Sequence, residues 1–285
     1  MAGRPQGTCV RQAGTVAHHP LRGVGVGPIH YRYQTEPGEL MARRQTIDPL
    51  VRAEVIDRWG NTCWLSLPGC TKHGEEDDHV RPFHIGGLDT VANIRRACKH
   101  CNASRQDRIL SGYGANIHVV LGPPEAGKTT YVAEHATADA LVLDFDRLAS
   151  SICPSVDIRK ERPAPLVAAA QSAWQGAYRR LVRLGDPVDV WLIKSIPSNK
   201  RHPRMLDEWI ALDYSLHVVD PGAQTVFDRL TEHDRTHGEQ TVARQWYALR
   251  ITQQLVDAKQ KARRDELARL GLRSSPPSAS VRPEW

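Results

Sequence analysis

The chain has 285 residues, 40% hydrophobic and 25% charged, the balance of an ordinary globular protein with length enough for two domains. Lys and Arg outnumber Asp and Glu by 38 to 32, and this net charge of +6 favours an acidic partner such as nucleic acid. No apolar run approaches the ~18 residues needed to cross a bilayer, and six cysteines are too few for a disulfide-dense secreted scaffold.

Residues 1–44 are rich in Gly, Pro, Arg and His without helical or strand period, so they are expected to be disordered, with His18 and His19 solvated. Met41 opens a stretch that reads like a natural N-terminus, so a start at either Met1 or Met41 fits the sequence. Asp48 is a good N-cap and Pro49 a good first helical residue. Apolar spacing at Leu50, Val51, Val55 and Ile56 then predicts a helix over 49–59, ended by Gly60.

Four cysteines follow in two pairs. Cys98-x2-Cys101 lets two thiolates from one tight turn reach a single tetrahedral Zn2+, and Cys63-x6-Cys70 supplies the other two, a reading preferred here to two disulfides. Cys9 and Cys153 lie too far along the chain to join them. Between the pairs stands Asp78-His79, and Gly86-Gly87 reads as a turn. A neutral imidazole takes a proton from water, and a carboxylate beside it suits a Mg2+-class ion, which together fit phosphodiester hydrolysis. Neighbours on a strand point to opposite faces, so the two share a site only at a strand end or bulge.

The stretch DDHVRPFHIGGLDTVANIRRACKHCNASR closely resembles the HNH (His-Me finger) endonucleases, particularly the zinc-stapled kind often encoded by phages. The resemblance implies a β-hairpin and helix around one catalytic metal. It makes His79 the general base, Asp78 and Asn102 the ligands of Mg2+ or Mn2+, and Asn93 the residue that orients the base. The first cysteine pair departs from the commoner C-x2-C, and Asn102 replaces a third His.

Residues 111–116, SGYGAN, read as a flexible linker. An apolar strand over 117–121 then leads into Gly122, Pro123, Pro124, Glu125, Ala126, Gly127, Lys128, Thr129 and Thr130, with a helix over 129–135. This is G-x4-G-K-[ST]: backbone N–H groups wrap phosphate oxygens, Lys128 reaches the outer phosphates of ATP, and Thr129 ligates its Mg2+. A strand over 140–145 is expected to hold Asp144 and Asp146 on one face, Asp144 towards Mg2+ and Asp146 towards an acceptor hydroxyl. A helix over 164–184 and strands over 188–193 and 216–219 complete the β-α alternation of a parallel sheet. The phosphate loop followed by D-x-D looks like the small-kinase branch of P-loop proteins, such as polynucleotide, shikimate and zeta-toxin-like kinases, and the likeness makes Arg235 a lid arginine. Beyond 220 the chain reads as mostly helical, with an amphipathic helix over 256–272 and a disordered Ser/Pro-rich tail over 273–285.

The expectation is therefore an α/β protein. A small zinc-stapled ββα-metal HNH domain over 45–110 is followed by a P-loop α/β domain with a parallel sheet over 117–272. The expected function is a metal-dependent endonuclease fused to an ATP-dependent kinase of nucleic-acid 5′ ends. Its partner is DNA, with RNA the alternative, and its location the cytoplasm, that of the host for a phage protein. Two alternatives stay open: a nuclease driven by an ATPase motor, and a non-enzymatic zinc DNA-binding module with a nucleotide sensor. A motor should carry a strand ending in Asp-Glu, but 188–193 runs into Lys194-Ser195.

Overall fold

The computed structural model describes residues 46–195 and 202–272. The expectations for 1–44, Met41, Cys9 and 273–285 lie outside the described residues. Among the described residues no helix is long and apolar enough to cross a membrane.

Helix α1 (Pro49–Trp59) begins where the Asp48 carboxylate accepts from the Leu50 amide at 2.8 Å, and it buries Val55 against Ile94. Strands β1 (Glu76–His79) and β2 (Ile94–Ala97) pair antiparallel, placing Asp78 opposite Arg95 and His79 opposite Ile94. Helix α2 (Lys99–Arg105) follows at once, with Cys98 as its N-cap. These three elements form the expected hairpin and helix.

The second half runs β3 (Asn116–Leu121), α3 (Lys128–His135), β4 (Leu141–Leu143), α4 (Phe145–Ile152), α5 (Ala164–Leu181), β5 (Asp189–Lys194), α6 (His202–Ala211) and β6 (Ser215–Val218). Helices α7 (Ala223–Glu232), α8 (His237–Leu249) and α9 (Gln253–Arg269) then close the described chain. The four strands are parallel in the order β4-β5-β3-β6. The chain leaves β3 towards the β4 edge and later returns to place β6 on the other side of β3. The carboxyl end of β3 is therefore a topological switch point, where open parallel sheets bind ligands.

Two expectations change. Residues 111–116 are not a loose linker: the Ser111 amide donates to Leu212 O and the Ala115 amide to Leu184 O, with Ile109, Leu110 and Ala115 fully buried. Gly112 takes φ +85°, and a side chain on Gly114 would lie 2.3 Å from Leu184 O. These glycines serve a turn and a close backbone approach. Consequently one hydrophobic cluster joins Cys63, Trp64 and Cys101 to Ile117, Leu121, Tyr214 and Leu267. Helix α9 fastens the two halves, since Arg263 donates both to Ala211 O and to Trp64 O, and Glu266 accepts from Ser66.

The second change concerns the expected strand over 140–145, which stops at Leu143. The Asp144 carboxylate accepts from the Asp146 amide at 2.9 Å and so caps α4, which turns the chain and puts Asp146 in the first turn of the helix. The two carboxylates do not share a strand face.

Candidate functional site

The sulfurs of Cys63, Cys70, Cys98 and Cys101 lie within 4.8 Å of one another, and those of Cys70 and Cys98 are 4.0 Å apart. Four thiolates around a tetrahedral Zn2+ at ~2.3 Å would be separated by roughly 3.8 Å, so the cluster fits that ion. Amides already point at sulfur, from Cys101 to Cys98 Sγ at 3.4 Å and from Lys72 to Cys70 Sγ at 3.3 Å. Burial alone would raise the Cys98 thiol, but hydrogen bonds from Cys101 and Thr71 outweigh it and bring the group to about 6. Burial and the adjoining thiols drive Cys101 strongly upward. Four such sulfurs share so small a volume as thiolates only with a cation among them.

His79 ends β1, and its Nε2 lies 2.6 Å from the Asp89 carboxylate. An ionised carboxylate only accepts, so the bond fixes the proton on Nε2 and leaves Nδ1 as the basic nitrogen. Asn93 secures the intervening loop: its Oδ1 accepts from the Arg81 amide, and its Nδ2 donates to Arg81 O at 3.1 Å and Leu88 O at 3.0 Å. The turn needs its glycines, because Gly86 takes φ +86° and a side chain on Gly87 would lie 1.8 Å from Arg81 O.

Asp78 behaves differently from its neighbour. It points inward, where its oxygens accept from Trp64 Nε1 at 2.9 Å and from Arg105 Nη1 at 2.8 and 2.7 Å. Arg105 also donates to the carbonyls of His79 and Val80, at 2.6 and 2.5 Å, and so sets the backbone that carries His79. Asn102, one helical turn before Arg105, donates from Nδ2 to Glu76 at 2.7 Å. Glu76 and Asp78, two apart on β1, share the face that α2 covers, while His79 turns to the other face. The structure thus groups Asp78 and Asn102 with Glu76 between β1 and α2, and groups His79 with Asp89.

The family model for HNH endonuclease matches residues 68–108. Residues 68–108 are an HNH endonuclease domain. Of the four cysteines, Cys63 precedes the match and the other three lie inside it. No curated protein and no solved structure matches the chain. The sequence reading missed Asp89 and Arg105. An acid two residues after Gly-Gly was a weak signal for the first; the second read only as a basic residue near a helix end.

The HNH domain meets the amino ends of the parallel strands, since a side chain on Gly185, just before β5, would touch Ile85 at 2.9 Å. The opposite ends carry a cavity of about 460 Å3. The six residues of β3 separate the two ends by roughly 20 Å.

Pro124, Glu125, Ala126, Gly127, Lys128, Thr129 and Thr130 all line that cavity, whereas Gly122 and Pro123 are buried and not part of its lining. Lys128 Nζ donates to Pro123 O at 2.6 Å, and Thr129 Oγ1 reaches towards Asp144 Oδ2 at 3.5 Å. Burial lowers Lys128 to about 8 against the pull of Asp146, Asp144, Glu125 and Glu239. Asp146 lines the cavity and sits 3.6 Å from Arg162, which in turn donates to Glu239 at 2.8 Å. Arg235 is also in the wall, hydrogen-bonded to Glu125. Lys194 and Ser195 extend β5 into the same cavity, so the strand beside β3 brings a cation there and no acid.

Proposed function

We propose that the chain is a metal-dependent endonuclease that hydrolyses phosphodiester bonds of DNA, or alternatively RNA, with His79 as general base. The pairing of His79 with Asp89 carries this reading. Nδ1 accepts a proton from water as the water oxygen bonds to phosphorus and the bond to the leaving oxygen breaks. Asp89 holds the tautomer and stabilises the imidazolium that forms. Asn93 orients the base by fixing the loop after it. The resemblance names Asp78 and Asn102 as the donors to Mg2+ or Mn2+, an ion that when bound would stabilise charge on the scissile phosphate and the leaving oxygen. Because Arg105 and Trp64 hold both Asp78 oxygens on the face away from His79, Asp78 would ligate the ion only once Arg105 releases it. Zn2+ at the four cysteines is structural, because a closed set of thiolates leaves no open position.

The second half of the proposal is ATP-dependent phosphoryl transfer in the cavity at the carboxyl ends of the parallel strands. Backbone amides of 122–127 and Lys128 would hold the phosphates. Thr129 and Asp144 would ligate Mg2+, Asp146 would take the proton of the attacking hydroxyl, and Arg235 would neutralise the transferring phosphate. The contact of Thr129 with Asp144 supports this reading, and the ending of β5 in Lys194 disfavours a motor. The acceptor we favour is a nucleic-acid 5′-hydroxyl. Incubation with γ-labelled ATP and 5′-hydroxyl DNA or RNA tests it. Label on the nucleic acid supports transfer, and free phosphate without labelled ends rejects it.

A further inference from the structure

Glu125 occupies the phosphate loop in a conformation that glycine adopts freely and glutamate does not, at φ +60°. A non-glycine residue stays in such a region when its surroundings over-determine it, and such outliers gather at ligand clamps. Here the surroundings come from the end of α7 and the turn that leads to α8. Arg235 binds Glu125 Oε1 through Nε and Nη2, His233 Nδ1 lies 3.0 Å from Oε2, and Arg229 Nη1 donates to the Glu125 carbonyl at 3.0 Å. Three side chains, one from the last turn of α7 and two from the residues after it, thus converge on a single residue of the loop.

What they leave over points to a ligand. Arg235 has a side chain only 8% exposed, with Glu239 Oε2 3.7 Å from its Nε, and its Nη1, buried in the cavity wall, has no hydrogen-bond partner among the described residues. A buried guanidinium N–H without an acceptor is costly unless an acceptor arrives. Resting on the reading of this cavity as an ATP site, we infer that Glu125 is a positioning residue that latches Arg235 over the phosphate loop before nucleotide binds and aims its spare Nη1 at the terminal phosphate. The lid arginine is therefore held in place in advance, and its contact with the third phosphate separates Mg-ATP from Mg-ADP.

The test uses the full chain with Glu125→Gly, which removes the carboxylate and relaxes the backbone, together with Glu125→Gln and Arg235→Lys. Without nucleotide, amide hydrogen exchange over 230–237 should quicken in Glu125→Gly, and DNA cleavage should be unchanged. Affinity for Mg-ATP should fall about tenfold or more, the scale of one charge-assisted hydrogen bond, while that for Mg-ADP moves less than about threefold. Glu125→Gln should lie between, and Arg235→Lys combined with Glu125→Gly should lose no more than either alone. Unchanged exchange overturns the latch. Quickened exchange with a wild-type ATP to ADP preference overturns the positioning role and makes the contact merely structural. Wild-type protein that binds neither nucleotide overturns the ATP reading itself, and the positioning role with it.

Discussion

Replacing Arg105 by Met should destabilise the protein more than the loss of any surface arginine. The side chain is 1% exposed, makes hydrogen bonds to both oxygens of Asp78 and to the carbonyls of His79 and Val80, and lies over the Trp64 ring with its guanidinium carbon 5.1 Å from the centroid. Methionine fills much of the volume but leaves the Asp78 carboxylate with Trp64 Nε1 as its one remaining partner among these. Breaking a buried ion pair from one side costs about 3–5 kcal/mol, which in a unit of this size lowers the melting midpoint by roughly 6–20 °C. Adding Asp78→Asn should recover part of that loss, because the orphaned charge is gone. Cleavage should fall even where Arg105→Met remains folded, since the carbonyl of His79 has lost its donor. Urea unfolding and a cleavage assay at low temperature measure both effects. Stability of Arg105→Met within about 1 kcal/mol of wild type, the range of surface substitutions, would refute the buried network as described.

Further expectations concern the zinc, the cavity and acid stability. Elemental analysis should find one Zn2+ per chain, and Cys98→Ser or chelation should lower a single unfolding transition, because the cysteines share a core with β3 and α9; two separate transitions in calorimetry would contradict the shared core. Lys128→Ala should weaken ATP binding and transfer together, whereas Asp146→Asn should leave binding nearly intact and cut transfer by ~100-fold or more; neither should alter DNA cleavage. Burial, helped by the neighbouring His118 and His135 and opposed by Asp257, holds His217 down at about 4, and His217 hydrogen-bonds Tyr131 and His118. The folded state therefore resists a proton that the unfolded chain takes up near 6.5. Stability should be lost as pH falls from about 6.5 to 4, by at most roughly 3 kcal/mol, and then level off. In His217→Phe that acid loss, read from urea midpoints, should shrink; an unchanged loss would assign it to other groups.

Patterns confined to a few residues were legible in the sequence. Asp48-Pro49 located the start of α1, the cysteine spacing located the sulfur cluster, and the β-α alternation gave the parallel sheet. What depends on the direction of a side chain was not. Asp78 and His79 are adjacent, and strand alternation sends the first to Arg105, 27 residues on, and the second to Asp89, 10 residues on. Asp144-x-Asp146 looked like one strand because the capping bond that ends β4 has no period to detect. SGYGAN looked flexible because glycine signals equally a loose chain and a close approach, and only the carbonyls of Leu184 and Leu212 decide between them.

The central claim is that His79 supplies the base for metal-dependent cleavage from an HNH domain whose fold does not depend on it. The most direct measurement compares wild type with His79→Ala on labelled DNA in Mg2+ or Mn2+, with zinc content and unfolding midpoint recorded on the same preparations. The account predicts a rate lower by ~100-fold to 10,000-fold, the contribution of a positioned general base, with zinc and midpoint retained. A folded, zinc-loaded His79→Ala protein that cuts at the wild-type rate would contradict it.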